Sequence, residues 1–169
     1  MLCALVLTLD LQILGQRHAD IRNGLSIPLK IKLSNLFDLL SKPSWCYQMA
    51  RTKNRTFGNV MGHVKDITNL NSLTKWVQDQ FDTRLNWDDV KRIKDWWGGK
   101  LIIKGIMDPD DAKMAQKCGA DALVVSNHGG RQLDGVNSSI STLPEIKKAV
   151  SNMEVLMDGG ISSGQDILK

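Results

Sequence analysis

The sequence has little of what disulfide-rich, zinc-binding or membrane-spanning proteins need. Its 169 residues contain three cysteines, Cys3, Cys46 and Cys118, which are far apart and form no C-x-x-C pair. An odd number at such spacings argues against a disulfide framework or a metal site, and it favours reduced thiols in a cytoplasmic protein. The apolar opening stretch, residues 1–15, is interrupted by Asp10 and is too short to span a bilayer.

Charge of one sign is also not in large excess. The chain has 22 lysines and arginines against 18 aspartates and glutamates, a formal net charge of +4. So small an excess is a weak indication of nucleic-acid binding, and we expect no nucleic-acid partner. It suits a small anionic substrate or a phosphate-bearing cofactor equally well. The composition, 42% hydrophobic and 24% charged, is typical of a globular domain.

Four short apolar segments predict buried strands. They span residues 3–10, 100–105, 121–127 and 153–160, and each is rich in Val, Ile or Leu and ends in polar residues or glycine. Continuous apolar runs of this kind suit strands buried on both faces of a parallel sheet. Helical patterns lie between the last three strands, so the order predicts an α/β fold built from βα units with right-handed crossovers.

Capping residues mark three of the predicted helices. Asn86 is expected to cap the first, which Gly98 ends, and Asp108 is expected to cap the second. Ser141 is expected to cap the third, with Pro144 early in that helix.

A long segment, residues 25–80, interrupts this rhythm after the first strand. Long insertions in compact folds are usually lids or mobile segments. The segment is basic, with Lys30, Lys32, Lys42, Arg51, Lys53, Arg55 and Lys65. Its apolar residues between Leu33 and Leu40 raise the possibility of contact with a membrane surface. Because that apolar part is short, a solvated and partly helical excursion is the favoured interpretation.

Polar side chains stand at the end of each predicted strand. In a βα barrel the carboxyl ends of the strands converge on one face, which holds the active site. The residues at these ends are Thr8 and Asp10, Lys104, Ser126, Asn127 and His128, and Asp158, Gly159 and Gly160.

The stretch SNHGGRQLDG, residues 126–135, carries the strongest chemical signal. His128 can accept a proton, and Arg131 can bind an anion. Arg17 and Arg131 could together grip a carboxylate, which guanidinium groups bind through two parallel hydrogen bonds. Asp10 could orient the imidazole of His128 and stabilise its charged form.

Two further features predict a cofactor that is rich in electrons and carries phosphate. Lys104 places a positive charge inside an apolar run, and residues 158–166 form a glycine-rich loop before a helix. The plainer alternatives are a lysine paired with a carboxylate, aspartates at positions 10 and 158 that only cap helices, and an Arg17 that forms a surface ion pair.

At these motifs the chain resembles the FMN-dependent α-hydroxy acid dehydrogenases and oxidases, a (β/α)8-barrel family. Within it, the chain is most similar to the respiratory L-lactate dehydrogenases linked to quinone or cytochrome. The motifs are residues 8–10, 14–24, 80–90, 101–112, 126–135 and 158–166, so the resemblance covers nearly the whole chain. It implies a partial TIM barrel over residues 1–169, approximately strands four to seven, with the insertion at 25–80 and both barrel ends missing.

The resemblance implies FMN as cofactor and oxidation of an (S)-2-hydroxy acid, first of all L-lactate to pyruvate. His128 would be the catalytic base with Asp10 as its partner, while Arg131 and Arg17 would bind the substrate carboxylate. Lys104 would stabilise negative charge on the flavin. The other implied flavin contacts are Thr8, Ser126, Asp158, Gly159 and Gly160, and no metal is expected.

The resemblance also bears on partners. It implies a quinone or cytochrome as electron acceptor and a homo-oligomer in the intact relatives. It also implies a cytoplasmic location. Peripheral contact with the inner face of the membrane is a second expectation.

The chain departs from the family pattern at Ser162, where the family has an arginine that binds the FMN phosphate. Loss of one such charge-assisted contact costs about 1.5–3 kcal/mol, or roughly one to two decades in affinity. For this reason, and because barrel strands are missing, we expect the 169-residue chain alone to bind FMN weakly or not at all.

Three other readings stay open from the sequence. The chain could be a non-catalytic remnant or interaction fragment of such an enzyme. It could be another FMN or phosphate barrel, such as an isomerase, although such enzymes have no need of a paired arginine clamp for a carboxylate. A nucleic-acid binder rests on net charge alone.

Overall fold

A computed structural model describes residues 3–13, 15, 17–23, 33–53, 76, 79 and 82–168. The chain falls into two units: Met1–Gln16 with Asp82–Lys169, and Arg17–Phe81. The first unit carries the sheet and all the predicted polar strand ends. Arg17, predicted to bind substrate, belongs to the second unit.

Four parallel strands form one sheet in sequence order. They are β1 (Ala4–Thr8), β2 (Lys100–Ile106), β3 (Ala122–Val125) and β4 (Glu154–Met157). Ile103 pairs with Leu7 on one side and with Leu123 on the other. Three strands lie within the predicted apolar segments, and β2 extends one residue beyond its segment, so the predicted α/β fold with a parallel sheet is confirmed.

Each unit also contains helices. In the second unit they are α1 (His18–Arg22), α2 (Leu33–Leu40) and α3 (Pro43–Arg51). In the first unit they are α4 (Trp87–Trp97), α5 (Pro109–Lys117), α6 (Ser139–Ala149) and α7 (Gly164–Leu168), with a 3-10 turn at His128–Gly130.

The core lies on the side of the sheet that faces α4, α5 and α6. Its strand residues are fully buried and alternate along β2 and β3, as expected for side chains that point to one face of a sheet. They pack with small or branched residues of the helices. The set comprises Leu101, Ile103, Leu123, Val125, Val90, Ala112, Ala115 and Ile146.

The other face of the sheet is not covered by the described residues. Val6 of β1 is 50% exposed and Leu156 of β4 is 41% exposed. The four strands therefore form an open parallel sheet, and they do not close into a barrel.

Two of the three predicted helix caps are confirmed. The Asn86 side chain accepts hydrogen bonds from the backbone N–H of Asp88 (2.9 Å) and Asp89 (3.3 Å), and Asp89 accepts one from Asn86 N at 3.0 Å. This reciprocal pair is a capping box, and the helix ends at Gly98 in the left-handed conformation. Asp108 caps α5 through backbone N–H groups of its first turn, at 2.7 and 3.3 Å.

The prediction that Ser141 caps α6 is wrong. Ser138 is the N-cap and accepts a hydrogen bond from Ser141 N at 3.3 Å, so Pro144 lies in the second turn. Several serines in a short stretch offer equivalent caps, and a tertiary contact decides between them. Ser139 is buried in the first turn and donates to the backbone oxygen of Asp158 at 2.6 Å, which favours a helix that starts there.

Asp121 holds together the amino ends of β2 and β3. Its carboxylate accepts hydrogen bonds from Lys94 Nζ (2.6 Å), Lys100 Nζ (2.8 Å) and Leu101 N (2.9 Å). Lys94 also donates to Gly99 O at 2.8 Å. The hydrogen bonds from Lys100 and Lys94, with that from Leu101 N, hold the pKa of Asp121 far below its usual range. This edge of the sheet is thus tied by a carboxylate with several donors.

Within the predicted insertion, the structure describes α2 and α3. Residues 24–32 and 54–75 lie outside the described residues, and with them Lys30, Lys32, Arg55 and Lys65. One face of α2 is exposed along a helical repeat, with exposed fractions of 50–78% for Leu33, Leu36, Phe37 and Leu40. Among the described helices, none has the length and apolar character needed to cross a membrane.

Candidate functional site

The predicted polar residues of β2, β3 and β4 meet at the carboxyl edge of the sheet. Lys104 lies on β2 beside Thr8 of β1. Its ammonium group donates to Ser126 Oγ at 2.8 Å and to the carboxylate of Asp158. Four of the residues expected at the strand ends are therefore neighbours, because parallel pairing aligns the ends of successive strands.

The charge of Lys104 determines the state of Asp158. Burial alone would raise the pKa of this carboxyl group. Hydrogen bonds from Lys104 and Ser126 and the positive charge of Lys104 outweigh burial, so the pKa of Asp158 lies below its usual value. A positive and a negative charge thus stand together at the strand ends, with the lysine side chain 22% exposed.

Ser126 and Asn127 shape the turn that carries His128. Ser126 is fully buried, and its Oγ accepts a hydrogen bond from His128 N at 3.2 Å. Asn127 Oδ1 accepts from Gly129 N at 3.0 Å, and its amide donates to Asn137 O at 3.1 Å. His128 has a φ of 57°, a left-handed conformation that histidine, asparagine and aspartate adopt more often than most residues. Such backbone strain is typical of functional sites.

Asp10 faces the Nδ1 side of His128. The distance from His128 Nδ1 to Asp10 Oδ2 is 3.4 Å. Both carboxylate oxygens and the imidazole Nδ1 are buried, and none has a well-aligned hydrogen bond within the described residues. A buried carboxylate without donors is costly, so its position against a titratable ring points to a functional pairing. The Nδ1 side of the ring therefore faces Asp10.

A clamp that the sequence did not reveal joins the loop after β1 to the loop after β3. The Gln132 side-chain amide donates to the backbone oxygen of Ile13. Gly15 lies so close that a methyl group there would stand 2.9 Å from Gln132 Cα. This clamp fixes the loop that follows Asp10 to the loop that follows His128.

Sequence reasoning also missed two residues that contact the aspartates of this site. Ser139 holds the backbone of Asp158, and Gly105 lies against the side chain of Asp10. A glycine inside a strand pattern often marks a bulge or a close approach, and this signal could have identified Gly105. No comparable signal exists for a serine in the first turn of a helix.

The remaining predicted residues are placed as follows. Arg131 follows the turn at His128–Gly130 and is exposed. Arg17 belongs to the second unit, where its guanidinium lies 4.0 Å from Asp20, and its pairing with Arg131 stays a prediction. Gly159 and Gly160 begin the loop after β4 and are exposed.

Two cavities adjoin these residues. One of about 340 Å³ lies beside Asp10 and Gly105 and is lined mostly by apolar side chains such as Met107 and Leu133. The other, of about 390 Å³, is lined by Gly129, Gly130, Gly135, Gly159 and Gly160 together with Asn127, Ser138 and Ser139. Within the described part of the chain, no three His, Cys, Asp or Glu side chains converge as a metal site requires.

Comparison with known proteins shows the family to which the chain belongs. A family model described as FMN-dependent dehydrogenase matches residues 2–169. The L-lactate dehydrogenase of Caulobacter sp. (strain K31) is 42% identical over 168 residues, which cover 98% of this chain and 44% of that protein. The L-lactate dehydrogenase of Haemophilus influenzae (strain PittEE) is 40% identical over 167 residues, with the same coverage of 98% and 44%.

Solved structures show the same fold. The monotopic membrane protein (S)-mandelate dehydrogenase superposes with a TM-score of 0.88 at 30% identity, covering 97% of this chain and 43% of that chain. A mandelate oxidase gives a TM-score of 0.65 at 30% identity, with 98% and 38% covered. The parallel sheet is therefore part of the TIM-barrel fold of these flavoenzymes, as predicted. The chain spans about 44% of the length of the curated relatives that it matches.

Replacing Lys104 by methionine is expected to raise the pKa of Asp158. The substitution removes a hydrogen-bond donor and a positive charge, while the burial that disfavours the charged carboxylate stays. Asp158 would then take up its proton at a higher pH than in the native chain. Carboxyl 13C chemical shifts followed against pH measure this directly.

Lys100→Met is the matched control for this titration. It removes a lysine hydrogen-bonded to a different aspartate, Asp121, at the opposite edge of the sheet. It is expected to raise the pKa of Asp121 and to leave the titration of Asp158 unchanged. An unchanged Asp158 titration in K104M would contradict the assignment.

Proposed function

Because the chain belongs to the FMN-dependent dehydrogenase family, we propose that its site oxidises an (S)-2-hydroxy acid to the 2-keto acid, with L-lactate to pyruvate as the principal reaction. One observation carries the proposal. The buried carboxylate oxygens of Asp10 face His128, with Oδ2 3.4 Å from Nδ1, at the same sheet edge that carries the Lys104 ammonium. A base with its partner and a nearby fixed cation are the groups that this oxidation needs.

The residues present fit the ring of FMN. The glycine-lined cavity begins at the end of β4, next to the Lys104–Asp158 pair. A methyl group at Gly129, Gly130 or Gly160 would meet no atom of the described chain within 4 Å, so the backbone leaves open space for a flat ligand. Lys104 would stand beside the flavin and stabilise negative charge there, while Thr8, Ser126, Asp158, Gly159 and Gly160 would line the site. FMN supplies the acceptor for the two electrons of the substrate.

His128 is the base in this proposal. Its Nε2 takes a proton from the substrate, either from the hydroxyl group or from the α-carbon. The carboxylate of Asp10 stabilises the resulting imidazolium and holds the ring in one orientation. Asp10 packs against Gly105, which limits the reorganisation that the proton transfer requires.

Arg131 binds the substrate carboxylate in this proposal. A guanidinium group can hold a carboxylate with two parallel hydrogen bonds, which orients the hydroxyl-bearing carbon. Arg131 is exposed and only three residues from the base, so it can engage a substrate bound at the turn.

The proposal is tested in a chimera in which residues 2–169 replace the matching part of the Caulobacter L-lactate dehydrogenase. We expect the purified chimera to bind FMN and to lose its oxidised-flavin absorbance when L-lactate is added without oxygen. His128→Asn keeps a residue type that tolerates the left-handed backbone and should slow flavin reduction by roughly 10²–10⁴-fold, the range for loss of a general base.

His18→Asn is the control, because His18 lies in the second unit and is exposed. It should leave the rate of flavin reduction unchanged. A chimera that binds FMN and is not reduced by L-lactate or another 2-hydroxy acid would refute the reaction. It would favour the alternative, a non-catalytic remnant or interaction fragment.

The loop after β4 does not offer a cationic partner for the FMN phosphate. Residues 158–168 contain no lysine or arginine. The backbone N–H groups of Ser162 and Ser163 are already bound by Asp166, at 3.0 and 2.9 Å. We propose that this loop contributes little to phosphate binding and that FMN affinity is lower than in relatives with an arginine here.

Ser162→Arg is therefore expected to increase FMN affinity. One added charge-assisted contact contributes about 1.5–3 kcal/mol, so the dissociation constant should fall roughly tenfold to a hundredfold. Quenching of FMN fluorescence, followed as protein is added, measures this dissociation constant. Riboflavin, which lacks phosphate, is the control ligand, and its affinity should not change. An equal gain for both ligands would contradict the assigned phosphate contact.

We also propose that the second unit contacts a lipid surface. A membrane quinone or a cytochrome is the electron acceptor in this proposal. The exposed face of α2 presents Leu33, Leu36, Phe37 and Leu40 at helical spacing. Trp45 and Tyr47 of α3 are 52% and 61% exposed, and such aromatic side chains suit the interface between lipid and water. The related (S)-mandelate dehydrogenase is described as a monotopic membrane protein.

Vesicles of mixed neutral and anionic lipid test this contact. The chain should co-sediment with them, and Phe37→Glu should weaken that binding by placing a charge on the apolar face of α2. Ile140→Glu changes an equally exposed apolar residue of α6, at 60% exposure, and should bind as the native chain does. Equal binding by the two variants would exclude α2 as the contact.

A further inference from the structure

We propose that Gly105 is a positioning residue, whose missing side chain makes the space in which Asp10 lies against His128. The importance of this position for turnover rests on the function proposed above. The placement itself rests on the structure alone.

Gly105 lies at a break in the pairing between β2 and β3. Lys104 pairs with Val124, whereas Ile106 pairs with the very next residue, Val125, so Gly105 is an extra residue in its strand. Its φ of 100° belongs to the left-handed region that residues with a Cβ atom rarely adopt. The irregularity is a bulge immediately after Lys104.

The space at this bulge is filled by Asp10. A methyl group on residue 105 would lie 2.7 Å from Asp10 Cγ, 2.8 Å from Asp10 Cβ and 3.0 Å from Asp10 Oδ1. The first two distances are shorter than Cβ atoms show in real structures, so with any side chain at this position either Asp10 or the backbone of residue 105 must shift. We propose that Asp10 shifts. The carboxylate oxygens are buried in their present position, and the cavity of about 340 Å³ beside Asp10 gives a displaced carboxylate space to move into.

The other left-handed glycines that the structure describes do not have this neighbour. A methyl group at Gly119, with a φ of 82°, would meet only the flexible Lys94 side chain, at 3.7 Å or more. A methyl group at Gly98 would meet no described atom within 4 Å. These two glycines serve the backbone, whereas Gly105 also makes room for a functional side chain.

Packing must hold Asp10, because hydrogen bonds do not. Neither of its carboxylate oxygens has a hydrogen-bond donor within the described residues, and His128 Nδ1 lies 3.4 Å from Oδ2. A carboxylate without directional partners is positioned by the shape of its surroundings. The face of Gly105 is one wall of that space, so its shape sets the distance between Asp10 and the imidazole.

This distance decides which imidazole nitrogen carries the proton. A carboxylate close to Nδ1 favours the neutral form with hydrogen on Nδ1, which leaves Nε2 free to accept a proton. If Asp10 moves away, the ring loses this preference. The tautomer of His128 therefore reports the position of Asp10, whether or not flavin or substrate is bound.

The experiment is long-range 1H–15N NMR on the full 169-residue chain labelled at histidine, with His128→Asn used to assign the signal. We expect the Nδ1–H form to predominate in the native chain. Gly105→Ala should reduce its population at least twofold. Gly119→Ala, which introduces the same methyl group on a left-handed backbone, should leave it unchanged.

A native-like tautomer in a folded G105A chain would overturn the proposal. So would a native chain in which hydrogen resides on Nε2. If G105A does not fold, Asp10→Gly in the same chain removes the side chain that the methyl group meets. Recovery of a native amide spectrum by this double variant supports the steric conflict, and continued failure to fold overturns it.

The tautomer readout also separates this proposal from the function. A shift in G105A together with a chimera that cannot oxidise 2-hydroxy acids would refute the reaction and leave the positioning intact. The opposite result, an active chimera with an unchanged tautomer, would refute the positioning alone.

Discussion

Parallel pairing of the four strands is the constraint on which the site depends. Because the strands run in one direction, the residues that follow each of them arrive at the same edge of the sheet. Lys104, Ser126 and Asp158 are joined there by hydrogen bonds although they lie far apart in sequence. Asp10 and His128 meet at that edge for the same reason.

Two carboxylates at opposite edges of the sheet, Asp121 and Asp10, differ in their hydrogen bonding. At the amino edge, the carboxylate of Asp121 receives hydrogen bonds from two lysines and a backbone amide. At the carboxyl edge, Asp10 faces His128 without a well-aligned donor among the described residues. A satisfied network is the expected arrangement for stability, whereas unsatisfied buried groups are typical of sites that bind or react.

Much of the fold and the membership of the site could be predicted from the sequence. Apolar runs revealed the strands, and Asn86 and Asp108 revealed helix starts, because these signals are local. The choice of Ser138 over Ser141 could not be predicted, since it depends on a contact between Ser139 and the distant Asp158. The contact of Asp10 with Gly105 of β2 and the clamp between the loops after β1 and β3 could not be predicted either. Both are contacts between segments about a hundred residues apart.

Local unfolding of this sheet is expected to start at the edge that carries the site. Opening the amino edge must break the charge-assisted hydrogen bonds from Lys94 and Lys100 to Asp121. Opening the carboxyl edge must break the contacts of Lys104 with Ser126 and Asp158, but it also brings into water the carboxylate of Asp10, which has no hydrogen-bond donor among the described residues. Hydration of that carboxylate favours the second opening. Amide hydrogens of the turn at His128–Gly130 should thus exchange with solvent well before those of Leu101 and Leu123. A ligand that covers this edge would slow that exchange, and the fold would gain stability where it is weakest.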